Sequence, residues 1–246
     1  QKRGFRWSTA RAFLKPVLKR PNLRLLTSVL VEQVLVEQGR AVGVRFRQGG
    51  ETKTVRCRGE VILAAGSLGS AQILQLSGIG RPDWLAEHGI ETRVERIGVG
   101  GNLQDHLQQR AIYKVTGVKT LNETYHSLIG RALMGLEFAA FQSGPLTMAP
   151  SQLGIFTRSN PSAERADIEF HIQPLSLEKF GDPLHRFPAI TVSACNLRPT
   201  SRGSVRLRSA DPAAKPVIAP NYLATEADRL IAADAIRVTR RLMKQP

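Results

Sequence analysis

Alternating apolar and polar residues predict three strands near the start of the chain. Residues 23–36 are rich in β-branched side chains, and residues 41–47 and 52–58 alternate between apolar and polar positions. This pattern is typical of strands with one buried face. Gly39 begins the turn between the first two runs, and Gly49 begins the turn before the third. The pattern therefore predicts an antiparallel meander of three strands joined by short turns.

A continuous apolar run at residues 61–63 follows the meander. Such a run is typical of a strand that is buried on both faces. Ala64, Ala65 and Gly66 come next, and their lack of side-chain bulk lets another backbone or a ligand come close. In an open α/β sheet, ligands bind at the carboxyl ends of strands. The alternative interpretation is an ordinary turn that packs a strand against a helix.

A short helix is predicted after this turn, with Ser67 and Ser70 as caps at its start. Gly78 is placed to end that helix in a left-handed turn. Hydrophobic periodicity predicts further helices over residues 8–20, 82–89 and 128–141, and from Thr225 onward. Strands are predicted over residues 111–115, 152–157, 167–173, 189–196 and 203–208.

The order of these elements predicts a mixed α/β fold. Runs of strands that follow strand–helix units indicate a second layer with a mostly antiparallel sheet. The last helix is expected to bury one stripe against that layer, formed by Ile231, Ala235, Val238 and Leu242.

Composition is that of an ordinary globular protein. Of 246 residues, 42% are hydrophobic and 22% are charged, and no apolar run approaches the ~20 residues that span a bilayer. The chain starts without Met and without the apolar core of a signal peptide, which is typical of the middle of a longer protein. Cys57 and Cys195 form neither a metal-binding spacing nor a disulfide framework. This cysteine usage fits a reducing cytoplasm.

The net charge of +15 is the strongest bias in the composition. The Lys and Arg residues are scattered, and no nucleic-acid-binding motif accompanies them. We therefore expect no nucleic-acid partner. Solvated faces, an acidic remainder of the protein outside this chain, or peripheral contact with a membrane surface would account for the charge equally well. The expected location is the cytoplasm, with membrane association as the alternative.

The five histidines are the candidate acids, bases and ligands of the chain. Asp105 precedes His106 and could fix its tautomer, although side chains adjacent in sequence rarely face each other, which favours a structural role in a loop. His171 lies between apolar neighbours and is either a buried, hydrogen-bonded residue or part of a pocket wall. His88 and His185 are expected at the surface. The sequence has no Gly-x-Gly-x-x-Gly loop, Gly-x-Ser-x-Gly elbow or zinc-ligand spacing, so no metal site is predicted.

Four segments resemble one family. Residues 66–80 read GSLGSAQILQLSGIG and resemble the second signature of the glucose–methanol–choline family of flavin-dependent alcohol oxidoreductases. Residues 8–14, 98–107 and 198–205 also resemble that family, so the likeness covers essentially the whole chain. It is most similar to the bacterial choline dehydrogenase branch. Ala71 stands where the family usually has proline, and alanine, a strong helix former, preserves the helix.

The resemblance implies the central part of an FAD-dependent enzyme. Residues 1–106 would form part of a Rossmann-like FAD-binding domain with the meander, residues 107–200 a substrate domain, and residues 201–246 the start of the family's C-terminal region. The whole protein would oxidise a primary alcohol, such as choline, to an aldehyde by hydride transfer to the flavin. A quinone or oxygen would then accept the electrons. The catalytic histidine is expected beyond Pro246, so this chain alone would be inactive and supplies no catalytic residue.

The resemblance also implies individual contacts. The backbone of Val31 would touch the adenine, although plain strand core is the alternative. The other implied cofactor contacts are Ala64, Ala65, Gly66, Asn102 and His106. The candidates for the substrate pocket, by position alone, are Gln152 and His171.

Two other functions remain open on the sequence alone. One is a non-catalytic basic binding module, and the other is a truncated product without function, whose exposed sheet edges would aggregate. The flavoprotein interpretation is tied to the predicted strand at residues 61–63. We expect that strand to lie in a sheet, with open space beyond Gly66.

Overall fold

The computed structural model describes residues 1–149 and 151–245, and the chain divides into two compact units. The first unit contains Gln1–Leu23, His106–Pro199 and the C-terminal residues from Glu226. The second unit contains Arg24–Asp105 and Thr200–Thr225. The division of the sequence into three consecutive domains remains a prediction.

Helices and strands are numbered in chain order. The α-helices are α1 (Gly66–Leu76), α2 (Pro82–Ala86), α3 (Leu121–His126), α4 (Leu128–Phe141) and α5 (Glu226–Leu242). The strands are β1 (Val29–Glu37), β2 (Arg40–Gln48), β3 (Glu51–Arg56), β4 (Ile79–Gly80), β5 (Val94–Glu95), β6 (Gln108–Lys114), β7 (Leu153–Thr157), β8 (Ile168–Gln173), β9 (Ala189–Asn196), β10 (Ser204–Arg206) and β11 (Val217–Ala219). A mixed α/β fold with antiparallel sheets is therefore confirmed.

The predicted meander is the three-stranded antiparallel sheet β1-β2-β3 of the second unit. Its first strand begins at Val29 rather than at residue 23. The buried carboxylate of Glu32 on β1 lies 3.2 Å from Nε of Arg45 and 2.8 Å from a guanidinium nitrogen of Arg47, both on β2. Glu32 lies where the register of β1 against β2 shifts, and its carboxylate links the two strands at this irregularity through both cations.

The predicted buried strand at residues 61–63 is wrong. These residues belong to no strand, and the side chain of Ile62 is 79% exposed. An apolar run becomes a strand only where neighbouring strands accept its backbone hydrogen bonds, and the described residues provide none here. Three apolar residues carry no information about that pairing.

Helix α1 forms where it was predicted, but its start differs. It begins at Gly66, which has a φ of +76°, and Ala65 at the N-cap position makes no side-chain hydrogen bond. Ser67 and Ser70 lie inside the helix, so their prediction as caps is wrong. The predicted stop is confirmed, because Gly78 has a φ of +77°.

A close approach of three segments forms the centre of the second unit. The amide nitrogen of Gln75, a residue on α1 that is 1% exposed, donates to the carbonyl of Val205 on β10 over 3.0 Å. The backbone N–H of Val205 donates to the carbonyl of Gly100 over 2.7 Å. A Cβ on Gly100 would lie 2.4 Å from the Val205 oxygen, so only glycine allows this packing.

The first unit contains the predicted antiparallel second layer. Its sheet has the order β6-β9-β8-β7, and every neighbouring pair is antiparallel. Helix α5 packs on one face of this sheet. The core residues there are Ile168, Phe170, Val192, Ala194 and Ala235, with Ile231 and Val238 packed against them. Three of the four predicted stripe residues of α5 therefore pack on the sheet.

Helix α3 was not predicted, although its signal is present in the sequence. Thr120 and Glu123 form a capping box at its start. Asn122 is fully buried: its Nδ2 donates to Oγ of Ser176 and to the carbonyl of Phe187, and its Oδ1 accepts from the backbone N–H of Ser176. One amide therefore connects α3 to the segment between β8 and β9.

The prediction of one helix over residues 8–20 is wrong. The chain instead forms a π-helical turn at Ala10–Leu14 and a 3₁₀ turn at Lys15–Val17, and Phe13 is 72% exposed. Pro16 explains the break because it has no N–H to donate to the preceding turn.

The remaining predicted elements agree in kind. Helix α4 has the predicted bounds, and β7, β8 and β9 lie within a residue of the predicted ranges. Strand β10 is shorter than predicted and pairs with the unpredicted β11. Within residues 1–149 and 151–245, no helix combines the length and apolarity required to traverse a membrane.

We expect Gly100→Ala to destabilise the second unit. A left-handed φ of +78° costs a non-glycine residue about 1–2 kcal/mol, and overpacking against the Val205 carbonyl adds about 1–3 kcal/mol. Gly39→Ala is the matched control, because Gly39 has a φ of +74° and no atom within 4 Å of its virtual Cβ. Urea denaturation should show the larger loss for Gly100→Ala, and equal losses would contradict the packing argument.

We also expect Asn122→Ala to destabilise the first unit by about 3 kcal/mol, because it leaves buried donors and acceptors without partners. Asn160→Ala is the control. Asn160 makes the same number of side-chain hydrogen bonds, with Ser159 and Ser162, but it is exposed and water can replace them. Its expected loss is below about 1 kcal/mol. Similar losses in a thermal melt would show that burial of Asn122 contributes little.

Candidate functional site

A cleft of about 390 Å³ in the second unit brings two distant segments together. One wall is the side of α1 that carries Ser67, Ala71 and Leu74. The opposite wall is the loop Gly98, Val99, Gly100, Gly101, Asn102, Leu103 and Gln104, with Val205 beside it. Three of the four segments that carry the family resemblance, residues 66–80, 98–107 and 198–205, therefore contribute to the lining of one cavity.

The start of α1 provides an electropositive wall for this cleft. The first backbone N–H groups of a helix have no intrahelical partner, and here neither a capping side chain nor an acidic residue in the first turn neutralises them. Apart from its chain neighbours and the backbone of its own helix, no atom in the described part of the chain lies within 4 Å of a virtual Cβ on Gly66. The expected open space beyond Gly66 is therefore present, and the exposed helix end favours an anionic group.

The loop opposite α1 is held in a defined shape. Asn102 is exposed and has a left-handed φ of +58°, a conformation that asparagine tolerates better than most residues. Leu103 next to it exchanges backbone hydrogen bonds of 2.8 and 3.0 Å with Gly203. Asn102 thus lines the cleft, whereas Ala64, Ala65 and Gly66 are exposed residues that lead into its helical wall.

Val31 lies on β1, at the edge of the three-stranded sheet. It is half-buried and stands opposite Phe46 on β2. An edge strand keeps backbone groups available on its outer side. The outer edge of β1 is partly used, because the N–H of Val34 donates to Oγ of Ser77 over 2.8 Å. Both interpretations of Val31, as strand core and as a backbone contact, stay compatible with this position.

The first unit has a second candidate site on the face of its sheet opposite to α5. In antiparallel strands, directly opposite residues share a face. The three opposite pairs on this face are Glu169 with Cys195, His171 with Ser193, and Gln173 with Thr191. Sequence reasoning singled out only His171, although polar residues at every second position of β8 and β9 were the available signal.

His106, Glu169 and Cys195 come together at one end of this polar face. One ligand atom from each residue lies within 4.8 Å of the others. The Nε2 atom of His106 is 3.2 Å from the carbonyl oxygen of Leu197, and Sγ of Cys195 is 3.9 Å from Oε2 of Glu169. Burial, and then the neighbouring Glu169 carboxylate, raise the pKa of the Cys195 thiol to about 11.

Asp105 does not fix the His106 ring. The Asp105 carboxylate accepts a hydrogen bond from the hydroxyl of Tyr222, and that bond raises the pKa of Tyr222. His106 is instead oriented by the Leu197 carbonyl. Asp105 and His106 belong to different units of the chain.

Gln152 and His171 line different parts of the first unit. Gln152 borders a cavity of about 520 Å³ whose other lining residues include Thr120, Thr124 and Gly144. His171 is absent from that lining, and its Nε2 lies 3.2 Å from Oε1 of Glu169 on the polar face. The two predicted pocket residues therefore do not share a cavity.

His88 and His185, which were expected at the surface, are half-buried and keep part of their surface exposed. His88 is half-buried, with its Nε2 3.1 Å from the carbonyl of Leu207. The ring of His185 stacks on Phe187, and its Nδ1 is 3.0 Å from Oγ of Ser176. Ser176 is fully buried, so this Ser–His contact is structural and offers no nucleophile to a substrate.

Relatives with similar sequences align with nearly the whole chain. The oxygen-dependent choline dehydrogenase of Brucella anthropi is 40% identical over 246 residues, which cover 98% of this chain and 44% of that protein. The mitochondrial choline dehydrogenase of Mus musculus is 39% identical over 242 residues, covering 98% and 40%. The chain spans less than half the length of these curated relatives.

Solved structures show the same fold. A formate oxidase of Aspergillus oryzae superposes with a TM-score of 0.84 at 24% identity, covering 98% of this chain and 46% of that one. A fungal aryl-alcohol oxidase also has a TM-score of 0.84, at 23% identity, with coverages of 99% and 48%. At these identities, the likeness concerns the fold alone.

Two sequence models of one family match this chain directly. The N-terminal model of the GMC oxidoreductases matches residues 1–108, and the C-terminal model of the same family matches residues 199–246. Because the two matched ranges together include more than half of the residues, the chain belongs to the GMC oxidoreductase family.

Proposed function

We propose that these residues form part of an FAD-dependent alcohol oxidoreductase that converts a primary alcohol to an aldehyde. The observation that carries the proposal is the cleft of the second unit, where α1 and the loop at residues 98–104 meet. Both segments resemble the family's motifs, and both belong to the range that the N-terminal family model matches. Choline is the first substrate to test, because the relatives from Brucella anthropi and Mus musculus are named choline dehydrogenases.

The residues of the cleft fit one side of a flavin dinucleotide. The uncapped start of α1 offers backbone N–H donors to a negatively charged or polar group, and Gly66 leaves the approach open. Ala64 and Ala65 are small and exposed beside it. Asn102 lines the opposite wall. When bound, FAD supplies the acceptor for the hydride that leaves the alcohol carbon.

The ribbon at residues 61–63 fits the same proposal. It joins no strand among the described residues, although its three residues are all apolar, and Ile62 is exposed. We infer that a sheet of the flavin domain, contributed by residues outside this chain, covers this ribbon in the whole enzyme. The chain's match to only 44% of the relative from Brucella anthropi supports this inference.

The polar face of the first unit would hold and orient the alcohol. Its buried hydroxyl groups belong to Thr191 and Ser193, and His171 is oriented by Glu169. The hydroxyl of Thr191 already donates to the carbonyl of Leu175, so His171, with its side chain 33% exposed, is the group of this face that a substrate hydroxyl would meet. We assign no base to these residues. The catalytic histidine is proposed beyond Pro246, outside the described part of the chain, and the electron acceptor is oxygen or a quinone.

The direct test compares this chain with the product of the whole reading frame that contains it. Each protein is purified, mixed with FAD without oxygen, and supplied with choline or another primary alcohol. We expect the longer product to retain FAD and the alcohol to bleach its flavin absorbance, whereas the 246-residue chain should show no turnover. Turnover by the 246 residues alone would refute the proposal that they are only part of the enzyme. A longer product without bound flavin would refute the flavoprotein assignment.

The cleft can be tested separately by charge. Ser67→Glu places a carboxylate in the first turn of α1, where it interacts favourably with the helix dipole and competes with an anionic ligand. We expect the longer product with Ser67→Glu to bind FAD about tenfold more weakly, at a cost of about 1.4 kcal/mol. The Ser67→Gln variant, whose side chain has the size of glutamate but no charge, should lose much less FAD affinity. Fluorescence titration of FAD measures both affinities, and equal values would place the dinucleotide away from this cleft.

A further inference from the structure

We propose that His106, Glu169 and Cys195 form a binding site for a divalent transition metal ion, with zinc as the preferred ion. The three residues lie at one end of the polar face of the first unit. The proposal needs neither FAD nor an alcohol, so its test is independent of the oxidoreductase function proposed above.

The donor set is that of a transition-metal site. Imidazole nitrogen, thiolate sulfur and carboxylate oxygen are the three protein ligands of zinc, with bond lengths of about 2.0–2.3 Å. A combination that includes thiolate and imidazole disfavours magnesium and calcium, which require oxygen ligands. Three protein ligands leave the fourth tetrahedral position for water or an added small ligand.

The spacing is close to what tetrahedral coordination requires. Ligand atoms around zinc are about 3.5 Å apart, as its bond lengths dictate. The sulfur of Cys195 and Oε2 of Glu169 are already 3.9 Å apart, and the whole trio lies within 4.8 Å. Cys195 and Glu169 are opposite residues of paired strands, so the sheet holds them in place. His106 is exposed, and its ring can turn about the hydrogen bond between Nε2 and the Leu197 carbonyl, which closes the remaining ångström without loss of that bond.

Two of the three ligands already have outer partners. The Nε2–H of His106 can donate to the carbonyl of Leu197, which leaves the lone pair of Nδ1 for a metal. The other oxygen of Glu169, Oε1, lies 3.2 Å from Nε2 of His171. Metal sites typically orient their first ligands through such outer hydrogen bonds. These contacts distinguish the trio from a chance cluster of polar side chains on a surface.

The local charge also favours a cation. Glu169 is mostly buried, with its side chain 17% exposed, and one of its oxygens faces the thiol of fully covered Cys195. Coordination replaces the thiol proton, which is released to solvent, and the metal charge stabilises the thiolate beside the carboxylate. His106 precedes β6, so a bound ion would fasten this end of β6 to β8 and β9.

Cobalt chloride is the probe, because Co²⁺ bound to thiolate gives a charge-transfer absorption in the near ultraviolet and Zn²⁺ does not. We expect the 246-residue chain, titrated under reducing conditions, to develop this band with saturation at one Co²⁺ per chain. An equivalent of Zn²⁺ should abolish the band. We also expect Zn²⁺ to raise Tm, because an ion that binds only the folded chain stabilises it. Absence of the band at one equivalent would overturn the proposal.

Substitutions identify the ligands. Cys195→Ser should abolish the charge-transfer band, whereas Cys57→Ser, the matched control at the half-buried free cysteine, should keep it. His106→Gln, at an exposed position that should not disturb folding, should weaken Co²⁺ binding at least tenfold. His171→Gln, at the outer partner, should weaken it about 10–100-fold. A band that survives Cys195→Ser, or unchanged affinity in His106→Gln chains whose circular dichroism matches the parent, would refute the site.

Discussion

The register between β8 and β9 is the constraint on which the first unit depends. It places Phe170 opposite Ala194 on the face covered by α5, and Glu169 opposite Cys195 on the other face. A slip by one residue would move every side chain to the opposite face. The burial of the apolar core under α5 therefore also fixes the polar side chains as one group. Packing energy and chemical function are linked through the two-residue period of the strands.

The second unit relies on a different constraint, the close approach of backbones. Gly100, Gln75 and Val205 lie far apart in sequence, and two hydrogen bonds hold them together. The cleft between α1 and the loop at residues 98–104 exists because this contact fixes the loop against the helix. Gly100, which belongs to a segment that resembles the family's motif, therefore has a structural role in addition to lining the cleft.

Local patterns explain why most of the fold could be predicted. The meander, α4, α5 and the strands of the first unit follow from periodicity and turn residues, which act within a few positions of the chain. The single helix predicted over residues 8–20 does not form, because Pro16 cannot donate a helical hydrogen bond and so interrupts the amphipathic segment. Sites depend on contacts between residues that are far apart in sequence. Nothing in the sequence around Cys195 indicates that it lies beside Glu169, or the reverse. Only the pairing of the strands brings both residues close to His106. For this reason Gln152 and His171, which were predicted as pocket residues from their sequence positions alone, lie in different places. Gln152 borders a cavity, and His171 lies on the polar face.

The predicted strand at residues 61–63 does not form, but the motif that follows it is unaffected. A strand forms only with neighbouring strands, and three apolar residues do not specify which strands those are. The exposure of Ile62 therefore contradicts the predicted sheet and leaves the prediction for residues 64–66 unchanged. The motif requires only small residues before a helix whose N-terminus is accessible. Ala64, Ala65 and Gly66 fulfil this requirement. Family membership rests on matches over residues 1–108 and 199–246. The open helix end is therefore the feature of these residues that bears most directly on a flavin site, because it does not depend on strands outside the chain.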